Sequence, residues 1–249
     1  MEGEAVMSLS LMEPVTSFVC FDIETTGLDP SEDRIIEIGG IKVKDKKIIG
    51  QFKEFINPKM KLSPKIISIT NITDDMLENA DTEETVVKRF LEFVGDEVLI
   101  GHNVIFDYSF VKTALQRYDT PFERKGIDTL VLSKKLHGSI GSKSLESMCR
   151  LYNIKNEHAH RAYDDAKATA LLYVHLCNEF FSVNGKDFIP RPLEYKIKKS
   201  QPITDKQKNY LRDLIKYHNI GTILDIETLS QSQASKIIDN IILTNGRMF

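Results

Sequence analysis

Asp22 and Glu24 are the residues whose types and spacing speak most directly of chemistry. They close the apolar run Phe18-Val19-Cys20-Phe21, with Ile23 between them and Thr25-Thr26-Gly27-Leu28 behind. Such a run favours a buried strand. Side chains at i and i+2 of a strand share a face, so the two carboxylates stand side by side. Like charges buried together are costly unless a cation neutralises them, and hard cations such as Mg²⁺ take carboxylate oxygens. The bland alternative is an exposed strand end with two solvated acids, and Asp-x-Glu alone does not exclude it.

Two further segments carry acids of the same kind. In Gly101-His102-Asn103-Val104-Ile105-Phe106-Asp107 a strand passes into a helix, with Asp107 in its first turn. In His160-Arg161-Ala162-Tyr163-Asp164-Asp165 a loop histidine precedes a helix whose start carries Asp165. Either acid alone is explained as a partner for a helix dipole, which is the reading kept for Asp164. His158 and His160 lack the third nitrogen or sulfur ligand that zinc requires. If the segments converge, Asp22, Glu24, Asp107 and Asp165 form one all-oxygen cluster, which suits Mg²⁺ or Mn²⁺. Two such ions about 3.5–4 Å apart clamp the attacking and leaving oxygens of a phosphodiester. His160 is then placed to take a proton from the attacking water.

The elements that must position these groups are legible from periodicity. Strands are expected near 18–25, 34–43, 48–56, 97–100 and 126–128, with a bulge at Gly39-Gly40. Helices are expected from Ser63-Pro64, from Thr82, and over 104–118, 129–136, 144–152 and 162–181. Three strands in succession, then strands separated by helices, imply an α/β layered domain with a mixed sheet.

The balance of charge differs along the 249 residues. Residues 1–185 hold 22 Lys/Arg and 29 Asp/Glu, a balance of −7, and residues 186–249 hold 11 and 7, a balance of +4. An acidic body with a basic tail suits a metal site beside a region that attracts phosphate. Cys20, Cys149 and Cys177 are far apart and form no Cys-x-x-Cys, which argues for a reduced, cytoplasmic setting. No apolar run reaches a membrane span, and residues 1–13 read as a leader without the basic start of a signal peptide.

Phe21-Asp22-Ile23-Glu24-Thr25-Thr26-Gly27-Leu28, Gly101-His102-Asn103 through Phe106-Asp107, and His160-Arg161-Ala162-Tyr163-Asp164-Asp165-Ala166 together resemble the three motifs of the DEDD 3′–5′ exonucleases. The His-x-x-x-x-Asp form resembles the DEDDh branch, which includes the proofreading epsilon subunit of bacterial DNA polymerase III and ribonuclease T. The likeness spans about residues 16–182, which frames an exonuclease domain over 14–183. It implies a ribonuclease-H-like fold, here a mixed five-stranded sheet flanked by helices. It also implies two divalent cations, Mg²⁺ or Mn²⁺, and release of 5′-mononucleotides from the 3′ end of DNA. By motif position, Asp22, Glu24, Asp107 and Asp165 would be metal ligands and His160 the general base. Thr25, Thr26 and Gly27 would hold the terminal nucleotide, Leu28 would wedge against its base, and His102, Asn103 and Phe106 would line the same pocket. RNA ends, a polymerase or repair assembly as partner, and a binding module without chemistry are the alternatives.

Residues 184–201, with Gly185, Pro190, Pro192 and several lysines, read as a basic linker. Thr204 with Gln207 and Ser230 with Gln233 have capping-box spacing and open two amphipathic helices, a small helical module over 202–249. The first helix is expected to bury Tyr210, Leu211, Leu214 and Ile215.

Overall fold

The run carrying Asp22 and Glu24 forms strand β1, Phe18–Thr25. The computed structural model describes residues 13–139, 141–197, 201–221 and 225–248, so the leader, Glu13 apart, lies outside the described residues. β2 (Ile35–Lys44) and β3 (Lys47–Phe55) form a hairpin. Its turn residues Asp45 and Lys46 both have positive φ, the conformation that matches strand twist in a tight hairpin. β4 (Val98–Gly101) and β5 (Lys125–Asp128) complete the parallel half, β1 pairing with β4 and β4 with β5. The strand order is β3-β2-β1-β4-β5-β6, which puts β1 in the interior with its carboxyl end beside those of β4 and β5.

The sheet has six strands, where five were expected. The sixth, β6 (Arg191–Pro192), lies antiparallel to β5, with Gly126 opposite Arg191 and Lys125 opposite Pro192. A proline has no N–H to donate and argues against a strand, but an edge position tolerates it. The expected linker is therefore structured in its first half. A 3₁₀ turn, Gly185–Phe188, buries Phe188, and Leu193 is buried behind β6. The chain divides into two compact units, one ending at Lys196 and the other starting at Ile197.

Helices cover both faces of the sheet. The first stretch of helix is α1 (Pro64–Thr70) and α2 (Asp74–Leu77), and α3 (Glu83–Val94) follows with Thr82 as its cap. α4 is Val104–Gln116, α5 Thr129–Leu136, α6 Leu145–Leu151 and α7 Ala162–Asn184. Val19, Phe21 and Ile23 of β1 pack with Val86 and Phe90 of α3 and Tyr108 and Val111 of α4. Phe18 and Cys20 pack on the other face with Leu172, Tyr173 and Leu176 of α7. The period-2 alternation carries straight on, so Asp22 and Glu24 face the α7 side.

Gly39 lies opposite Asp22 on β2. A Cβ at position 39 would sit 2.0 Å from the Tyr163 backbone nitrogen and 2.1 Å from the Ala162 carbonyl carbon. The missing side chain lets the start of α7 rest on the sheet beside Asp22. This, and not a bulge, is what the glycine does: the register shifts lie between Glu24 and Thr25 in the β1–β2 pairing and between Lys42 and Val43 in the β2–β3 pairing. Gly39→Ala is expected to cost at least about 2 kcal/mol, read as a lower midpoint in thermal unfolding. An unchanged midpoint would contradict the close contact.

The second unit is α8 (Asp205–Tyr217) and α9 (Gln231–Asn245), each opened by the expected capping box. Leu211, Leu214, Ile238 and Ile241 form its core. Tyr210, expected inside, is 37% exposed. The buried stripe steps through 211, 214 and 215, and position 210 falls beside it. No described helix is long and apolar enough to cross a membrane.

Candidate active site

β1 outruns its parallel neighbour. Its pairing with β4 ends at Cys20, which leaves the Ile23 N–H without a strand partner on that side. Asp107 takes its place: the Oδ1 accepts the Ile23 N–H at 3.1 Å. Asp107 reaches this point because α4 starts abruptly, at Asn103 with φ of 76°, one turn before it. The Asn103 N–H is held in turn by Asp128 Oδ1 at 3.0 Å, at the end of β5. Carboxyl ends of adjacent parallel strands thus bring the first two segments together, as open α/β sheets do.

α7 delivers the third. Its first turn lies over Gly39, and Asp165 in that turn faces back toward β1. Asp165 Oδ1 accepts Asn156 Nδ2 at 2.5 Å, and Oδ2 accepts the His160 N–H at 3.0 Å. His160 has φ of 65°, a left-handed conformation that an L residue holds only when its surroundings demand it. Its side chain is exposed. Glu24, His160 and Asp165 present ligand atoms that all lie within 4.8 Å of one another, a group able to hold a metal ion.

The electrostatics record the convergence. Burial, and then the charges of Asp107, Asp165, Glu24 and Glu37, push the Asp22 carboxyl well above the usual range. Glu24 is pushed up to about 8, by burial and then by Asp165, Glu37 and Asp107, with Arg161 opposing. Asp107 is raised by burial against the pull of the Ile23 N–H. Asp165 is raised by burial against its bonds from Asn156 and His160. Acids from β1, α4 and α7 therefore share one small region with a surplus of negative charge, the condition a divalent cation relieves. The donors are oxygens with one imidazole and no thiolate, which fits Mg²⁺ or Mn²⁺.

The turn after β1 is braced from within. Thr25 Oγ1 donates to the Gly27 carbonyl at 2.6 Å, and Thr26 Oγ1 accepts the Arg34 N–H at 2.9 Å. A Cβ at Gly27 would meet the Asp33 carboxylate at 2.4 Å. Leu28, at the tip, is 82% exposed. Phe106 packs on Phe110, ring centroids 5.1 Å apart, and is only partly covered. Asn103 is exposed. His102 is held at both ring nitrogens. Its Nδ1 meets Thr129 Oγ1 at 2.9 Å and its Nε2 the Lys143 carbonyl at 2.8 Å. With both nitrogens engaged and its pKa lowered by burial, it ties the end of β4 to the loop before α6.

Glu37 and Asn156 were missed. Glu37 lies opposite Glu24 across β1 and β2, is buried, and takes the Arg161 guanidinium at 2.9 Å and the Ala162 N–H at 3.2 Å. It anchors the start of α7 and brings a compensating cation. An acid inside the apolar run Ile35-Ile36-Glu37-Ile38 was the available signal.

A family model described as exonuclease, of the RNase_T type, matches residues 19–173. A DNA polymerase III PolC-type protein of Caldanaerobacter subterraneus subsp. tengcongensis is 39% identical over 169 residues, 68% of this chain and 12% of that protein. Its counterpart in Listeria monocytogenes is 33% identical over 250 residues, 94% of this chain and 17% of that protein. The similarity there runs on into the second unit. This chain spans a small fraction of the length of these curated relatives. Among solved structures, Exonuclease X in complex with 5′ overhanging duplex DNA is 25% identical with a TM-score of 0.55, covering 66% of this chain and 92% of that one. The nuclease domain of 3'hExo, a DEDDh family member bound to rAMP, shares the fold with a TM-score of 0.59 at 21% identity, covering 73% and 98%.

Proposed function

This chain belongs to the RNase_T-type exonuclease family, and on that premise we propose that it is a divalent-metal-dependent 3′–5′ exonuclease that removes 5′-mononucleotides from the 3′ end of DNA. The observation that carries the reading is the convergence of acids from three separate elements: Asp22 and Glu24 on one face of β1, Asp107 on the Ile23 N–H between them, and Asp165 with His160 within 4.8 Å of Glu24. These four carboxylates would hold Mg²⁺ or Mn²⁺. When bound, the ions supply Lewis-acid stabilisation of the charge that develops on the phosphate.

The protein's own groups do the rest. His160 stands exposed at the rim, within 4.8 Å of Glu24 and Asp165, and takes the proton of the attacking water. Attack at phosphorus breaks the bond to the 3′-oxygen of the upstream nucleotide, leaving a nucleoside 5′-monophosphate and a new 3′-hydroxyl. Leu28 projects from a braced turn and wedges against the terminal base, with Phe106 and Asn103 on the facing helix. Thr25, Thr26 and Gly27 shape the turn that cradles the 3′ end, and His102 positions the second segment from behind. The DNA preference and a role beside a DNA polymerase are supported by relatives that are themselves DNA polymerases. A binding module without chemistry is disfavoured because all five reactive positions are intact.

Digestion of 5′-labelled DNA and RNA strands with Mg²⁺, Mn²⁺ or chelator tests this. A ladder of shortened DNA with either ion, absent with chelator, is expected. No shortening with any ion would overturn the reading. His160→Ala is expected to remain folded and lose on the order of a hundredfold in turnover. Near-wild-type turnover by the pure variant would remove His160 from the chemistry.

A further inference from the structure

A second concavity lies on the β5 side of the helix that carries Asp107, a groove of about 280 Å³. Three aliphatic side chains from three elements surround it and stay open to water: Ile105 of α4, Val131 of α5 and Ile189 ahead of β6, at 37%, 59% and 44% exposure. Together they make one wall of the groove apolar.

Two acids and two bases line the groove, Asp128 and Asp187 with Lys135 and Arg191. Lys135 is paired with Asp187 at 2.5 Å. Asp128 Oδ1 accepts the N–H groups of Asn103, Leu130 and Val131, at 3.0, 2.9 and 3.2 Å. Arg191 has no carboxylate partner among the described residues, and β6 pairing opposite Gly126 fixes its backbone at the rim. Arg191 is thus the charged side chain of the groove with no described side-chain partner, a fork suited to phosphate.

The groove adjoins the helix start that carries Asn103 and Phe106. Ile105 immediately precedes Phe106 on that helix, while Asp107 turns inward to β1. Asp128 both holds the Asn103 N–H and lies near enough for its charge to act on Asp107. Ile105 and Val131 follow the carboxyl ends of β4 and β5, the end at which Asp22 and Glu24 stand.

We propose that this groove receives the strand immediately upstream of the terminal nucleotide, a nucleobase lying on Ile105, Val131 and Ile189 and a backbone phosphate on Arg191. The assignment rests on the reading of the site as a 3′ exonuclease. An apolar wall accepts any base, because each has an apolar face, and the phosphate contact carries no sequence information. The groove therefore supplies grip without sequence preference.

The test uses the full chain and its Arg191→Ala, Arg191→Lys and Val131→Glu variants, with Ca²⁺ as the divalent ion. Affinity for a fluorescein-labelled octathymidylate is read by anisotropy across a salt series, and affinity for thymidine 5′-monophosphate by calorimetry. Arg191→Ala is expected to weaken octamer binding about fivefold and to lower the slope of log affinity against log salt by about 1. Arg191→Lys should restore part of the loss, Val131→Glu should weaken the octamer similarly, and mononucleotide affinity should hold in all three. Wild-type octamer affinity and salt slope in both Arg191→Ala and Val131→Glu would overturn the proposal. So would a parallel loss of mononucleotide affinity, which marks a structural effect. Hydrolysis is not read in these titrations, so failure of the functional reading shows separately, in the digestion assay.

Discussion

Asp22→Asn is expected to remove almost all nuclease turnover and, in the metal-free protein, to raise the melting temperature. The two effects have one cause. Asp22 is held by burial beside Asp107, Asp165, Glu24 and Glu37, and its charged form is disfavoured by all of them. An amide of the same shape removes the cost of keeping that acid buried, whether it is met as a charge or as a proton taken up on folding. Relief of about 1 kcal/mol would raise the midpoint by roughly 2–4 °C for a unit of this size. Without the carboxylate the site loses its interior ligand, and turnover should fall at least on the order of a hundredfold. A variant that melts lower and keeps its activity would show that Asp22 serves the core and not the chemistry.

The second large effect is a reciprocal dependence of stability on pH and divalent ion. Glu24 titrates near 4.5 when unfolded and near 8 when folded. Between these values the folded state holds a proton that the unfolded state has released. The stability of the metal-free protein therefore falls as pH rises from about 4.5 to about 8, and this contribution is level above. The raised carboxyls of Asp22, Asp107 and Asp165 act in the same sense. Mg²⁺ competes with those protons, so its stabilisation should grow with pH. At a hundred times its dissociation constant it amounts to about 2.7 kcal/mol. Scanning calorimetry at pH 5.5 and 8.5, with and without Mg²⁺, checks this, and the difference between wild type and Glu24→Gln isolates the Glu24 part. Metal-free stability that climbs across this range in wild type relative to Glu24→Gln, or indifference to Mg²⁺, would contradict it.

The site was legible where its signals are local. Asp22 and Glu24 share a face because a strand has period 2, and β1 alternates as that period requires. The starts of α4 and α7 announced themselves by a break in periodicity, and both capping boxes of the second unit formed as spaced. What escaped depends on partners distant in sequence. Gly39 looks like a bulge until α7 is known to lie on it. Glu37 reads as one polar residue in a strand until Arg161 and Ala162 arrive from 124 and 125 positions away. The bracing of His102 by Thr129 and Lys143 has no local signal either, for both partners lie far along the chain. β6 was hidden because proline is a poor strand former everywhere but at an edge. Asn156 carries no pattern of its own, and only the loop that brings it to Asp165 gives it meaning.

The most direct measurement is a Mn²⁺ titration followed by electron paramagnetic resonance, with thymidine 5′-monophosphate present, on wild type and Asp22→Asn. Saturable binding of two ions by wild type, with at least one lost in the variant, is the expected result. Binding that does not saturate, or that is identical in the two proteins, would mean that the acids of β1, α4 and α7 do not form a common metal site.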